Sequence, residues 1–490
     1  MKYVAGGQSF APGSKHFSEQ AEMFIKCRVV KKIIVITGII DRGLFFIFLA
    51  QSIRSMTLFI VLLALIALVV LIAVFKVNPF LAFLVVCVIA GLCLGIPLTG
   101  ITKSVETGIG AILADTLIII VIGAMLGKLI AASGAAQQIA TTIMKGMGLK
   151  NIHWALALIG LVIGIPLFYN TGFVLMIPLI FSIVYQYKLP AVATGISLLA
   201  ALSVAHGFLP PHPSPATLVG QFKADLGETM LYGIVIAIPT IIVAGPIFSR
   251  TLKNIESKPL ETFKPPDLKQ QELPGVMNSF LTALLPVILF AVMTMLPMIT
   301  DSKYEDVIFF FSRAPIVMLI ALIVATFTLG IGRGKKMQAI MNIYSDSVKD
   351  IALILLIIAG AGIFKQVLVD SKVAHEIAGL LSNSSLSPLV LGWLIAALIR
   401  VAVGSATVAG ITAAGIVEQL VKDTNTSPSL MVLSIGAGSL MFSHVNDAGF
   451  WLFKEYFNLS IKDTIRSWSI METIVSVLGL LGVLLLDIFI

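Results

Sequence analysis

The stretch LPPHPSPATL, residues 209–218, places four prolines and a histidine in ten positions. It lies inside a run, 189–222, that contains no Asp, Glu, Lys or Arg. Proline removes a backbone donor and pushes the residue before it out of the helical region, so this run cannot be one continuous helix. Irregular backbone at membrane depth survives only where protein or a water-filled cavity satisfies its polar groups. The stretch therefore reads as the break in a discontinuous membrane span, and the rest of the chain has to supply the surroundings that tolerate it.

The composition supports a membrane setting. The 490 residues are 58% hydrophobic and 12% charged, with a mean hydropathy of +1.03. Runs of roughly 20 apolar residues, each enough to cross a ~30 Å hydrocarbon core, recur along the chain. The strict alternation of a membrane barrel is missing. The net charge of +8 fits basic cytoplasmic loops rather than a nucleic-acid partner. Cys27, Cys87 and Cys93 form no disulfide or metal-binding spacing, and no metal or cofactor is expected; Cys87 and Cys93 read as packing residues. Residues 1–55 stand apart: 1–32 are polar and basic, and 33–53 are interrupted by Asp41 and Arg42. They lack the pattern of a signal peptide. A clean apolar span follows Met56, so 1–55 is expected to be an N-terminal extension upstream of the true start, with an amphipathic helix as the alternative.

Apolar runs place single spans near 57–75, 80–98, 112–132, 231–250, 276–299, 309–331, 350–370 and 465–488. The run 151–187 has no charged side chain, is too long for one crossing, and is interrupted at IPLFYNTG, which predicts a re-entrant hairpin. The run 387–421, interrupted only by Arg400 and Glu418, and the run 429–457 are likewise not straight helices. Lysines at 253, 258, 264 and 269 and the turn GRGKK (332–336) put 251–275 and 332–349 on the cytoplasmic side, and the acidic 300–308 outside.

The two halves match in order. GAMLGKLIAASGAAQQIA (123–140) parallels GAGIFKQVLVDSKVAHEIA (360–378), with Lys128 opposite Lys365; SVAHGF (203–208) parallels MFSHVN (441–446), with His206 opposite His444; and FKADLGETMLYG (222–233) parallels FNLSIKDTIRSW (457–468). Each half reads span, surface helix, hairpin, broken span, span, and the halves start from opposite sides. The fold expected is an all-α polytopic membrane protein with inverted-topology repeats, two re-entrant hairpins, two discontinuous helices and about ten full crossings, an arrangement typical of secondary transporters. The expected organisation is leading helices over 56–111, a first repeat over 112–250, a cytoplasmic loop over 251–275, linking helices over 276–348 and a second repeat over 349–490.

The segments LFYNTGFVLMIPL, HGFLPPHPSPATL, RVAVGSATVAGITAAGIV and FSHVNDAGFWLFKEYFNLS resemble the gluconate permease family of gluconate:proton symporters, within the ion transporter superfamily. The resemblance runs from about Met56 to the C-terminus. It implies proton-coupled import of gluconate or a related sugar acid across a bacterial inner membrane. One departure is Asn170, where the family motif carries an acidic residue; this leaves the coupling ion and the particular substrate open.

In the first hairpin, Tyr169, Asn170, Thr171 and Gly172 offer hydroxyl and amide groups and a close backbone approach. Gly404, Ser405, Ala406 and Thr407 are their counterparts in the second. Half-helix N-termini there could hold a carboxylate, although Ser and Thr also serve simply as helix caps. Arg400, a guanidinium at membrane depth, is expected either to bind the substrate carboxylate in a bidentate fashion or to pair with Asp447, Glu418 or tip carbonyls. His212, on the first break, and Ser443 and Asn446, on the second, complete the candidate substrate contacts. His444 and Asp447 are the candidate proton carriers, because imidazoles titrate near neutrality and carboxylates removed from water hold protons more tightly. His206 reads as a packing residue, while Lys128 and Lys365 read as snorkelling or paired.

Motifs of hydrolases, zinc proteases and nucleotide-binding loops are absent from the sequence, and no catalytic residue or metal ligand is expected. Ser443, His444 and Asp447 could be drawn as a triad, but they crowd one segment, whereas triad members usually converge from different elements. A membrane-embedded hydrolase is thus a distant alternative, and a channel is disfavoured by the paired broken helices. A sodium-coupled carrier, or a symporter for glycerate or D-serine, stays open. The expected partners are a small anionic substrate, protons and the lipid bilayer, with a homo-oligomer compatible and nucleic acid excluded.

Overall fold

The computed structural model describes residues 42–490 apart from 166, 168, 211, 265–267, 297–303, 382–385 and 425. The expectations placed on 1–41 lie outside the described residues. The chain divides into two compact units, Met1–Thr57 and Leu58–Ile490. The described part of the first is the opening stretch of α1 (Arg42–Ala73).

Among the described residues the regular secondary structure of the second unit is all helical. After α2 (Pro79–Cys93), the first repeat runs through α3 (Leu98–Ala132), α4 (Ala135–Met147), α5 (Ile152–Gly164), α6 (Tyr169–Tyr187), α7 (Ala191–Phe208), α8 (Pro213–Phe222) and α9 (Leu226–Ile242). Linking helices α10 (Val276–Met295), α11 (Glu305–Ser312) and α12 (Ala314–Ala325) follow. The second repeat then gives α13 (Met337–Asp370), α14 (Val373–Leu381), α15 (Pro388–Val403), α16 (Ala406–Asp423), α17 (Pro428–Gly438), α18 (Ala448–Tyr456), α19 (Ile461–Thr464) and α20 (Ile470–Asp487). This is the predicted order twice over: α5/α6 and α15/α16 are the hairpins, α7/α8 and α17/α18 the broken spans.

Local sequence explains where these pieces start. Asn78–Pro79, His212–Pro213, Ser387–Pro388 and Ser427–Pro428 each put a proline at the first helical turn, where its fixed φ helps and its missing N–H costs nothing. Asp225 and Ser427 cap α9 and α17 through the amides of Glu228 and Leu430.

The inversion is visible where α3 and α13 cross antiparallel. Ser104 donates to Asp370 at 2.5 Å at one end, and Lys128 Nζ meets Asp350 at 2.9 Å at the other. Between them the backbones touch: a Cβ on Gly108 would lie 2.7 Å from the Gly362 carbonyl oxygen. Both helices exceed the apolar runs that announce them, starting at Leu98 and Met337 rather than at 112 and 350. Their polar ends stay helical because they are amphipathic. Ile340, Tyr344, Ser347 and Ile351 form a buried stripe at helical spacing, while Lys103, Glu106, Asp346 and Lys349 are exposed.

Burial separates centre from periphery. In α7, 94% of the residues are buried, against 28% over Met56–Ala73 and 22% over Val276–Met293; the broken span is core, and α1 and α10 face the surroundings. The hairpins differ. The arms of α15/α16 pack together, whereas α5 lies chiefly along α7, with His153 Nδ1 2.9 Å from Ser197 Oγ. Cys87 is a core residue as expected, but Cys93, at the end of α2, points outward and is exposed.

Candidate functional site

Each break in a span fastens a hairpin. In the first repeat, the His212 ring donates from Nε2 to the Gly164 carbonyl at 2.7 Å, where α5 ends. In the second, His444 Nε2 donates to the Val401 carbonyl at 2.8 Å. Asn446 Nδ2 reinforces this contact, reaching Val401 O at 2.8 Å and Ala402 O at 3.1 Å. Sequence alignment of the halves pairs His206 with His444; by bonding role, the counterpart of His444 is His212. Gly404 closes the second tip at φ +76°, and a Cβ there would sit 2.2 Å from the Asn446 carbonyl oxygen. The tip can approach the break this closely only without a side chain.

Between the tips lies a cavity of about 220 Å3, the scale of a small sugar acid rather than of a peptide or lipid. Tyr169 and Asn170 reach it from the first tip, and Arg400 and Gly404–Thr407 from the second. Asn446 and Asp447 come from the second break, Ile112 and Thr116 from α3, Gly362 and Lys365 from α13, and Ser203 and His206 from α7. Trp468 and Glu472, from the last span, complete the wall.

Arg400 dominates its electrostatics. The side chain is 5% exposed, and its Nη2 donates to Asp447 Oδ2 at 2.6 Å. Asp447 also accepts from the Ser443 hydroxyl and from the Gly449 amide at 3.2 Å, capping α18. Ser443 is itself anchored by Trp468 Nε1 at 2.8 Å, and its carbonyl accepts from Ser469 at 2.5 Å. The carboxylate is thus surrounded by donors, while the guanidinium is not: Arg400 Nε and Nη1 are buried without a partner. Tyr169 Oη, His206 Nδ1, Asn446 Oδ1 and Glu472 Oε2 are in the same condition. Buried polar atoms normally find partners, so six orphans on residues of one cavity wall mark a place prepared for a polar guest, with the two Arg400 donors suited to an anionic group.

Of the residues singled out from sequence, the cavity gathers Tyr169, Asn170, Arg400, Gly404, Ser405, Ala406, Thr407, Asn446 and Asp447. Thr171, Gly172, His212, Ser443 and His444 are not on its wall. Gly172 packs on Leu202, Thr171 is buried beside it, and the other three hold the neighbouring backbone or Asp447. Ser405 also serves as a cap, accepting from the Val408 amide at 3.4 Å. His206, expected as packing, and Lys365, expected to snorkel or pair, both line the cavity. Lys128, the sequence counterpart of Lys365, pairs with Asp350 and is not on the wall. Glu472 and Trp468 were missed; an acid between Arg466 and Asp487, inside the apolar part of the last span, was the available signal.

A family model for GntP family permeases matches residues 56–489. The chain is 48% identical over 416 residues to the Gnt-II system L-idonate transporter of Escherichia coli (strain K12), covering 84% of this chain and 94% of that protein. It is 47% identical over 415 residues to a high-affinity gluconate transporter of the same strain, covering 84% and 95%. It is 43% identical over 447 residues to the gluconate permease of Bacillus subtilis (strain 168), covering 88% and 99%. Among solved structures, the Alcanivorax borkumensis YdaH transporter matches with a TM-score of 0.41 at 17% identity, over 84% of this chain and 97% of that one.

Proposed function

The chain belongs to the GntP permease family, a multi-pass membrane permease rather than an enzyme, and from that premise we propose that it imports gluconate or a closely related sugar acid across the inner membrane, driven by the proton gradient. The observation that carries this proposal is the pair of unpartnered donors on Arg400 inside a cavity of sugar-acid size. A substrate carboxylate supplies the acceptors that Nε and Nη1 lack, through charge-assisted hydrogen bonds stronger than neutral ones. Asp447 fixes the guanidinium before the substrate arrives, which lowers the ordering cost of binding. The sugar hydroxyls then meet Asn170, Ser405, Thr407 and Tyr169 Oη, groups that can donate or accept as each hydroxyl requires, and Asn446 Oδ1, which accepts.

Alternating access follows from the inverted repeats. The substrate sits between two tips of opposite origin, so rocking one repeat against the other exposes it to either side in turn. The gluconate and L-idonate named for the relatives are both sugar acids, and the cavity offers the same two chemistries, a cation for the carboxylate and a ring of hydroxyl partners. A thermal-shift screen of sugar acids on the purified protein tests the substrate class. Gluconate, idonate or a near relative should stabilise the protein more than uncharged sugars of the same length do; stabilisation by the uncharged sugars alone would refute the carboxylate contact.

A further inference from the structure

We propose that Glu472 is the residue that carries the coupled proton, sharing the cavity with the substrate carboxylate so that the two negative charges are admitted only with a proton between them. This rests on the sugar-acid import proposed above and names the group that couples it.

Glu472 is 2% exposed and lines the cavity. One carboxylate oxygen is hydrogen-bonded by Ser203 of α7; the other, Oε2, is buried with no partner. The other charged or titratable groups on the cavity wall are Arg400 from α15, Asp447 from the head of α18, Lys365 from α13, His206 from α7 and Tyr169 from the first tip. Arg400 is ion-paired with Asp447 at 2.6 Å, whereas Glu472 Oε2 has no hydrogen-bond partner. An ionisable group held at membrane depth is functional more often than structural.

Charge counting then gives the coupling. With His206 neutral, the charges of the paired Arg400 and Asp447 cancel, so an incoming carboxylate adds one negative charge to the cavity. If Glu472 is ionised, that carboxylate meets a second buried negative charge beside it, which is strongly unfavourable. A proton taken from the outer aqueous side by Glu472 Oε2 removes that penalty, and it leaves to the inner side with the substrate. The two residues expected from sequence to carry protons are otherwise engaged: protonating Asp447 would weaken its bond to Arg400, and His444 lies behind the wall on the Val401 carbonyl.

The repeat supplies an independent mark. The register that sets Phe222 opposite Phe457 sets Ala237 opposite Glu472. Ala237 is buried packing in α9, whereas Glu472 is a buried acid; both spans carry a π-helical turn, over Val243–Ile247 and Ile465–Ser469. Symmetric scaffold and asymmetric acid together point to a task that folding alone does not require.

The test uses the full chain in proteoliposomes with labelled gluconate. The wild-type protein should accumulate gluconate under an inward proton gradient, and its affinity should fall about tenfold per pH unit over the coupled range. Glu472→Gln should exchange gluconate in counterflow yet fail to concentrate it, with an affinity that no longer follows pH; Glu472→Asp should restore accumulation. Infrared difference spectra give a second readout on the wild-type protein. Adding gluconate should produce a protonated-carboxyl band, shifted in Glu472→Asp and absent in Glu472→Gln. If the wild-type protein moves no sugar acid, the import proposal itself fails. If it accumulates gluconate and Glu472→Gln still does so, or the band is unmoved by Glu472→Asp, the import proposal stands and the role given to Glu472 is wrong.

Discussion

Arg400 Nη2 and Asp447 Oδ2 meet at 2.6 Å across the gap between the second hairpin and the second break. The pair adds a side-chain ion pair to the bonds from His444 and Asn446 that already tie the break to the hairpin. It also turns the remaining guanidinium donors into the cavity, so its first role is to position a binding group.

Arg400→Lys keeps the charge but replaces a planar fork with a single ammonium. Losing one charge-assisted hydrogen bond costs about 1.5–3 kcal/mol, so gluconate affinity should fall roughly ten- to a hundredfold. Isothermal titration on the purified variant checks this. Unchanged affinity would mean that the carboxylate binds elsewhere.

Asp447→Asn removes the partner of a buried cation, a change that costs about 3–5 kcal/mol. Both net uptake and counterflow should be lost, because substrate no longer binds a fixed guanidinium. Loss of accumulation with counterflow preserved would instead return the proton to Asp447.

His212→Ala removes the side-chain donor to the Gly164 carbonyl, and His444→Ala removes one of the two side-chain donors to the Val401 carbonyl. Each should destabilise the protein by about 1–3 kcal/mol and loosen one hairpin locally. Hydrogen exchange should rise around 164 in the first variant and around 401 in the second. A rise spread evenly over both hairpins would contradict the local role.

Much of this was legible in the sequence because breaks at membrane depth are written in proline, glycine and charge. LPPHPSP and SHVNDAG announce the discontinuities, and Arg400 stands out as a cation in an apolar run. Pairings between distant segments were not legible. Lys128 and Lys365 occupy matching positions, yet one is clasped by Asp350 at 2.9 Å and the other lines the cavity. Glu472 stands between Arg466 and Asp487 as an acid in the last span, but the sequence does not show that this stretch lines the cavity, which only the packing of distant segments decides.

Gly404→Ala puts a methyl group 2.2 Å from the Asn446 carbonyl oxygen and asks alanine to hold φ +76°. Backbone strain of this kind costs about 1–3 kcal/mol before the clash is counted. The variant should insert into membranes, bind gluconate weakly and transport little. Normal uptake would show that tip and break separate during the cycle more than this packed state implies.

The most direct test of the central claim is uptake of labelled gluconate by proteoliposomes holding the purified protein, with an inward proton gradient and no sodium. Saturable accumulation above the external concentration, collapsed by a protonophore and by Arg400→Ala, is the predicted result. Uptake that only equilibrates, persists with protonophore or requires sodium would contradict proton-driven import through this cavity.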